Sequence, residues 1–520
     1  MERFMTEPKR RTAFALSVLS GLLTAAAFPP FGVWPLALIG LMPLLWIWRS
    51  AEIWRGAWTG FVFGVCFFGV LLSWSWYFGA VAIVPLVGAQ ALYIAAVGVS
   101  VATLKKWGVT SPLIVASMWT LSEYLRGSWP LGGLAWGEVG TSLSPLAPAR
   151  GLAGWAGALG VSFAVVLLQC IVLEVLLKNR ESVASEPVGE GRGLRYTSFS
   201  IPIVVLLICL TLGLYAPKTQ NIGSMRVATL QGNDLNRRLT LSEIDNGVLT
   251  EKHLGLAKQL RGKYDLIIFP ESALMSDPEA DSLLRSEIIA IAKSHESFVL
   301  INAINREKKG KIYNTNRLYS PSGLLVANYS KTHLVPFGEY VPWRSALSFI
   351  SAIEQVPEDF TPGTKDESNA SIFNLRGRQV GSLICFESVF PEIARDQVRS
   401  GAELLVVSTN NRSYRRSGNS AQHVQSSQMR ASETGRAVIQ ASISGISAVI
   451  LPDGRIIKKT DLFRPAIIKA NVPLQAGETP YVKHGPIVVK ICFLIMIAAV
   501  ALGVKRHRLT VMPNRGDSSE

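Results

Sequence analysis

The sequence predicts a multispan α-helical membrane domain joined to an α/β domain built in layers. Three observations carry this. The 520 residues are 49% hydrophobic and 17% charged, where roughly a quarter charged is usual for soluble chains, and mean hydropathy is +0.29. The apolar excess is confined to residues 13–216 and 486–504. Between them, short apolar runs ending in polar residues alternate with helical stretches, the pattern of a layered α/β fold.

Eight apolar stretches approach the ~20 residues a bilayer requires: 13–30, 33–48, 57–78, 81–104, 111–126, 152–177, 198–216 and 486–504. With the N-terminus inside, the basic clusters all fall on the cytoplasmic side: Lys9-Arg10-Arg11, Arg49 and Arg55, Lys105-Lys106, Lys178 and Arg180, and Lys505-Arg506-His507-Arg508. The connections at Pro29-Pro30 and Phe78-Gly79 carry no Lys or Arg. The expected division is a membrane domain of about seven spans over 1–216, an outer domain over 217–485, a final span over 486–504 and a cytoplasmic tail over 505–520. Residues 181–197 read as a polar linker and the tail after Thr510 as disordered. The first segment also fits a cleaved signal peptide, with Ala25-Ala26-Ala27 near the cut. The net charge of +15 lies at span ends and accompanies no nucleic-acid module, so nucleic acid is not an expected partner.

In the outer domain, "DLIIFPES" (265–272), "SFVLINAINR" (297–306) and "AELLVVSTNN" (402–411) read as strands with polar ends. "NRLYSPSGLLVANYS" (316–330) and "SAVILPDGRIIKK" (447–459) each read as two strands around a turn. Residues 279–296 and 420–437 read as helices. Polar residues at strand ends are where α/β sites form.

Four of the five cysteines, Cys66, Cys170, Cys209 and Cys492, lie in apolar spans and read as small packing residues. Cys385, in "VGSLICFES", is alone in the outer domain, so it has no disulfide partner there. It is either a buried structural cysteine or a nucleophile. A nucleophilic thiol needs a base, and acyl transfer needs a donor for the oxyanion. Glu271 in "IIFPES", Lys331 and Glu339 in "YSKTHLVPFGEY", and Glu387 beside the cysteine supply these groups at strand ends.

"FPES", "SKTHLVPFGEY" and "ICFES", in this order, resemble the nitrilase (carbon–nitrogen hydrolase) superfamily. The chain as a whole resembles the bacterial apolipoprotein N-acyltransferase family. The resemblance implies an α-β-β-α sandwich, with Glu271 as general base, Lys331 as oxyanion-stabilising lysine and Cys385 as nucleophile. Glu339 and Glu387 match further active-site glutamates. It also implies a bacterial plasma (inner) membrane location with an extracytoplasmic catalytic domain. The implied substrates are a membrane phospholipid as acyl donor and the diacylglyceryl-modified N-terminal cysteine of lipoproteins as acceptor. One site serving both predicts ping-pong kinetics. A membrane-tethered amidase and a non-catalytic scaffold are the alternatives.

"SEYLRGSWPLGGLAWGEVG" (122–140) resembles a membrane-domain segment of the same family. Glu123 and Arg126 are three apart and can share a helical face; they are candidate lipid-site residues, or Arg126 snorkels at the outer boundary. Residues 127–150 are expected to form a re-entrant or interfacial element lining the lipid entrance. Residues 408–437 depart from the family: Gln422-His423 and Met429-Arg430-Ala431 are retained, but Asn411-Arg412-Ser413-Tyr414-Arg415 replaces Asp-Ala-Trp-Phe-Gly. Arg412, Tyr414, Arg415 and Arg416 are therefore candidate lipid contacts, the arginines facing phosphates or simply solvent. The six histidines show no ligand spacing, no phosphate-binding loop or dinucleotide fingerprint occurs, and neither metal nor cofactor is expected. A monomer is expected.

Overall fold

The computed structural model of the chain describes residues 8–184, 193–233, 247–307, 310–350, 353–354, 356–364 and 372–511. Residues 185–192 of the expected 181–197 linker and the tail beyond residue 511 lie outside the described residues; 181–184 and 193–197, expected as linker, are instead the ends of the two helices that flank this gap.

The N-terminal half is helical: α1 (Arg10–Ala26), α2 (Met42–Trp48), α3 (Ile53–Leu71), α4 (Ala80–Lys106), α5 (Pro112–Ser128), α6 (Ala147–Ala184) and α7 (Gly193–Leu214). Among the described residues, Ile53–Leu71, Ala80–Lys106, Ala147–Leu177 and Ile487–Arg508 are long and apolar enough to cross a membrane. The stretch 33–48, expected as one span, is instead a 3₁₀ turn (Trp34–Leu38) and the seven-residue α2. Pro35 and Pro43 each sit in the first turn of their helix, where a missing N–H costs least, so each proline starts a new piece. The stretch 57–78 likewise ends as a helix at Leu71 and continues as a 3₁₀ segment, Ser73–Phe78. α3 and α4 cross closely because glycines line the seam. A Cβ on Gly60 would lie 2.6 Å from the carbonyl oxygen of Ile94, and one on Gly98 would lie 2.1 Å from that of Gly56. Small residues at this spacing let backbones touch where no hydrophobic effect drives helices together.

The following domain has β1 (Gln220–Gln231), α8 (Val248–Ala257), β2 (Leu266–Ile268), α9 (Ser282–His295), β3 (Phe298–Arg306), β4 (Ile312–Tyr319), β5 (Leu325–Ser330), β6 (Ile372–Leu375), β7 (Arg378–Ile384), α10 (Pro391–Arg399), β8 (Leu404–Thr409), α11 (Asn419–Thr434), β9 (Ala437–Ser442), β10 (Ala448–Ile450), β11 (Ile456–Lys459), β12 (Ala466–Ala476) and α12 (Pro480–His484). Two six-stranded sheets form, ordered β12-β1-β2-β3-β4-β5 and β11-β10-β9-β8-β7-β6. Their inner faces enclose one core, with Ile268, Leu300, Ile384, Val406 and Ile439 fully buried. The outer face of the first sheet buries Ile288 and Ala292 of α9. The outer face of the second buries Ala394 of α10 and Ala431 of α11. The result is the expected α-β-β-α sandwich. β1, β2 and β3 run parallel, as do β7, β8 and β9, and the carboxyl ends of β2, β7 and β8 meet: Glu271 past β2 accepts from the Asn410 N–H past β8, and Thr409 of β8 reaches Cys385 past β7.

The final helix, α13 (Ile487–Val511), returns to the helical domain. Its Arg506 donates to the carbonyl of Gly108, just past Lys105-Lys106. α4 starts just past Phe78, which packs on Tyr414 of the sandwich, and α13 starts directly after α12, so the basic ends of both helices lie at the end away from the sandwich.

Candidate active site

The sulfur is presented by a strained turn. β7 ends at Ile384, and Cys385 opens a short 3₁₀ segment, Cys385–Val389, with φ of 51°. A non-glycine residue held at positive φ persists only where its surroundings fix it. Here Glu387 does so. Its Oε2 accepts from the Ile384 N–H at 2.8 Å. Its Oε1 accepts from Tyr329 Oη (2.8 Å), Thr332 N (2.7 Å), Thr332 Oγ1 (2.9 Å) and His333 N (3.2 Å). The fully buried carboxylate therefore ties the cysteine turn to the loop that follows β5, which carries Lys331. Burial raises its pKa, and these donors, with Lys331, oppose that rise.

Glu271 follows β2 and is 6% exposed. Its Oε1 accepts from Asn314 Nδ2 at 2.7 Å and its Oε2 from the Asn410 N–H at 2.7 Å, and its charge acts on the Cys385 thiol. Lys331, 1% exposed, donates to Glu339 Oε1 at 2.8 Å. Asn314 Nδ2 reaches the same oxygen at 3.2 Å, and Val335 N–H fixes the other at 2.8 Å. The structure thus brings together Glu271, Lys331, Glu339 and Cys385, with Glu387 as the bolt behind them. Sequence reasoning missed Asn314 on β4, which joins Glu271 to Glu339, and Thr409 at the end of β8, whose Oγ1 lies 3.3 Å from the sulfur. The signal for Asn314 was the stripe of asparagines 302, 314 and 316 that would face one another across β3 and β4; Asn302 does bond both Asn314 and Asn316.

The electrostatics follow from burial. Burial raises the Glu271 carboxyl, Lys331 pulls it back and Glu339 raises it again. Burial and the Glu271 charge push the Cys385 thiol up to about 12, against Lys331 and Thr409. Burial would lower Lys331, but the charges of Glu339, Glu271 and Cys385 outweigh it and hold the ammonium above its ordinary value. The resting site therefore sets a thiol beside a carboxylate and an ammonium, suited to giving up its proton only as the sulfur attacks.

The helical domain forms one wall. Tyr414 packs edge-on against Trp74 (4.9 Å) and Phe78 (5.7 Å), and Arg415 lies 5.0 Å over the ring of Tyr77. Arg416 sits 5.3 Å over Phe463. Trp136 approaches the His423 ring at 5.9 Å. Arg126 does not snorkel: it is 1% exposed, and its Nη1 donates to Gln90 Oε1 and to the carbonyls of Leu134 and Trp136. Glu123 Oε1 accepts from Trp119 Nε1 and the Val139 N–H. Glu123 and Arg126 therefore clamp the 129–146 connection. Beside the site, Leu131 and Gly132 of that connection line a pocket of about 270 Å³ with Thr332, His333, Tyr340 and Phe360.

Residues 20–171 match the family model of the apolipoprotein N-acyltransferase N-terminal domain, and residues 226–480 match that of carbon-nitrogen hydrolases. An apolipoprotein N-acyltransferase of Nitrosomonas europaea is 30% identical over 524 residues, covering 96% of this chain and 98% of its own. The chain belongs to the apolipoprotein N-acyltransferase family. A relative of the same name from Geobacter metallireducens is 29% identical over 518 residues, covering 96% of each chain. Among solved structures, an amidase from Nesterenkonia sp. is similar over 51% of this chain and 94% of its own, at 19% identity and a TM-score of 0.35. Membership accounts for the pairing of a helical domain with a carbon-nitrogen hydrolase domain and makes the chain a membrane-bound acyltransferase.

Proposed function

We propose that the chain moves a fatty acyl group from a membrane phospholipid to the α-amino group of the diacylglyceryl-modified N-terminal cysteine of lipoproteins, through a thioester on Cys385. The observation that carries this is the hydrogen-bonded series Lys331–Glu339–Asn314–Glu271, whose terminal charges act on the Cys385 thiol, in a site walled by the helical domain. Glu271 takes the thiol proton as the sulfur attacks the ester carbonyl, and Lys331 stabilises the oxyanion. The C–O bond breaks, Glu271 returns the proton to the departing lysophospholipid, and the acyl chain stays on sulfur. The acceptor amine then attacks the thioester. The C–S bond breaks, the amine proton passes by way of Glu271 to the sulfur, and an amide leaves.

The site faces outward in this reading. The basic ends of α4 and α13 lie away from the sandwich, where both helices start, as the positive-inside rule places a cytoplasmic face. That supports a domain over 217–485 on the extracytoplasmic side of a bacterial plasma membrane and a tail inside. Arg415 and Arg416 are exposed and Arg412 is half-buried, which supports a reading in which they meet donor phosphates; changing all three to Ser should then cost more turnover with anionic than with zwitterionic donors, and equal losses would refute that contact. The function itself is tested by intact-protein mass after incubation with phospholipid vesicles. A gain of one acyl chain, absent in Cys385→Ser and discharged by a diacylglyceryl-cysteine peptide, is expected. Hydrolysis of small amides without acyl-enzyme would instead indicate an amidase.

A further inference from the structure

We propose that Thr409 is a further catalytic residue, its hydroxyl donating a hydrogen bond to the Cys385 sulfur, with His423 and Asn411 positioning it. This deepens the reading of Cys385 as the acyl-carrying nucleophile and rests on it. Thr409, Asn411 and His423 are 0%, 2% and 1% exposed, so the protein alone decides where their hydrogens point.

Counting those hydrogens fixes the direction. His423 Nε2 lies 3.0 Å from the carbonyl oxygen of Cys385 and 2.6 Å from Ser388 Oγ. A carbonyl can only accept, so Nε2 bears the ring proton. Burial holds the ring down at about 4, against the pull of the Cys385 carbonyl; the imidazole is neutral and Nδ1 is an acceptor with one lone pair. Asn411 Nδ2 has two hydrogens. One goes to Asn419 Oδ1 at 2.8 Å, and the other faces Nδ1 at 3.3 Å. Nδ1 is then filled. Thr409 Oγ1, also 3.3 Å from Nδ1, has two acceptors left: Asn411 Oδ1 at 3.4 Å and the sulfur at 3.3 Å. Once Glu271 holds the thiol proton, the sulfur carries the charge, and a hydrogen bond to a charged acceptor is roughly twice as strong as a neutral one. The hydroxyl therefore turns to sulfur.

The charged groups around the sulfur leave room for such a donor. Glu271 opposes the thiolate, and Lys331, which favours it, is drawn toward Glu339. Thr409 adds a neutral donor that needs no proton transfer. It acts twice, when the thiolate forms and when it leaves the thioester. His423 also grips the Cys385 carbonyl, so one ring orients both the backbone of the nucleophile and the donor to its sulfur.

The test is the alkylation rate of Cys385 by iodoacetamide in the full-length protein in detergent, followed by peptide mass from pH 6 to 10. Thr409→Val should slow alkylation about tenfold near pH 8 and move the profile up by about one unit, the equivalent of one charge-assisted hydrogen bond. Thr409→Ser should stay within twofold of the parent. His423→Gln should slow it in the parent but add little in a Thr409→Val background. Should the Val variant not fold, Thr409→Ala against Thr409→Ser makes the same comparison. A Val or Ala profile that overlays the parent overturns the proposal. Failure of the proposed function reads differently: the parent protein would show these alkylation profiles yet take up no acyl chain from phospholipid vesicles.

Discussion

Gln422 and His423 are consecutive on α11 and serve opposite sides of the molecule. His423 holds the Cys385 carbonyl. Gln422 Oε1 accepts from the indole N–H groups of Trp136 (2.7 Å) and Trp74 (3.2 Å), while its Nε2 donates to the carbonyls of Pro29 (2.7 Å) and Leu71 (3.2 Å). A single buried amide with four partners thus registers three connections of the helical domain against the turn that presents the sulfur. Gln422→Leu strands those partners, at about 1–3 kcal/mol for each buried group left unpaired. The expected outcome is a lower melting temperature and at least a tenfold loss of acyl uptake from vesicles. Cys385 alkylation by a small reagent should change less than twofold. Equal loss in both assays would show that Gln422 serves only the local fold.

Glu387 was legible in sequence as an active-site glutamate, but its geometry gives it another task. With five hydrogen bonds to the protein and no exposure, it is held out of a substrate's reach. Glu387→Ala removes the acceptor for buried donors of three segments at once, and breaking such a buried charged network costs about 3–5 kcal/mol. Thermal melts should show a large destabilisation, and Glu387→Gln should recover part of it because the carbonyl half of the amide still accepts. An alanine variant that melts like the parent would refute this.

The sandwich was readable because each strand carries its own local evidence. Runs such as Leu266–Ile268 and Leu404–Thr409 are wholly apolar or β-branched apart from their polar ends, and those ends are where the site forms. The membrane half was less readable. Hydropathy cannot distinguish a span from an apolar segment broken by prolines, so 33–48 read as one helix. Arg126 could not be placed either, since its partners Gln90, Leu134 and Trp136 are brought to it only by tertiary folding. Thr409 and His423 were invisible as a pair because 14 residues separate them and nothing local says that a strand end and a helix start will meet.

The pH dependence of transfer should follow Glu271. Burial raises its pKa, with Glu339 adding to this and Lys331 opposing it. The base must be ionised to take the thiol proton, so activity is lost as pH falls through that raised value. The acid limb of the single-turnover acylation rate should therefore lie above the ordinary glutamate range near ~4.3. The Cys385 thiol, pushed up to about 12, supplies no basic limb at moderate pH. Glu271→Gln should lower acylation by about 10²–10⁴-fold and abolish the limb. A limb at the ordinary glutamate value in the parent would exclude Glu271 as the titrating base.

His253 makes a prediction about stability that is independent of catalysis. It lies on α8, fully buried. Its Nδ1 faces the Leu249 carbonyl at 2.8 Å, so Nδ1 carries the proton, and Nε2 accepts from the Gly232 N–H at 2.9 Å. Both nitrogens are committed in the neutral form, and protonating Nε2 would set two donors against each other. Burial accordingly holds the ring down at about 4, from 6.5. Because the folded value is depressed, the unfolded chain binds a proton between these limits and the folded chain does not. The stabilisation is complete above pH 6.5 and is lost as pH falls toward 4, with a slope of about 1.4 kcal/mol per pH unit. Gln can donate to Leu249 and accept from Gly232 without titrating. His253→Gln should therefore match the parent at pH 7.5 and flatten the fall in melting temperature between pH 6.5 and 4.5, leaving the contributions of His333 and His423, both also lowered to about 4. An unchanged slope would mean that the ring is not held neutral in the folded protein.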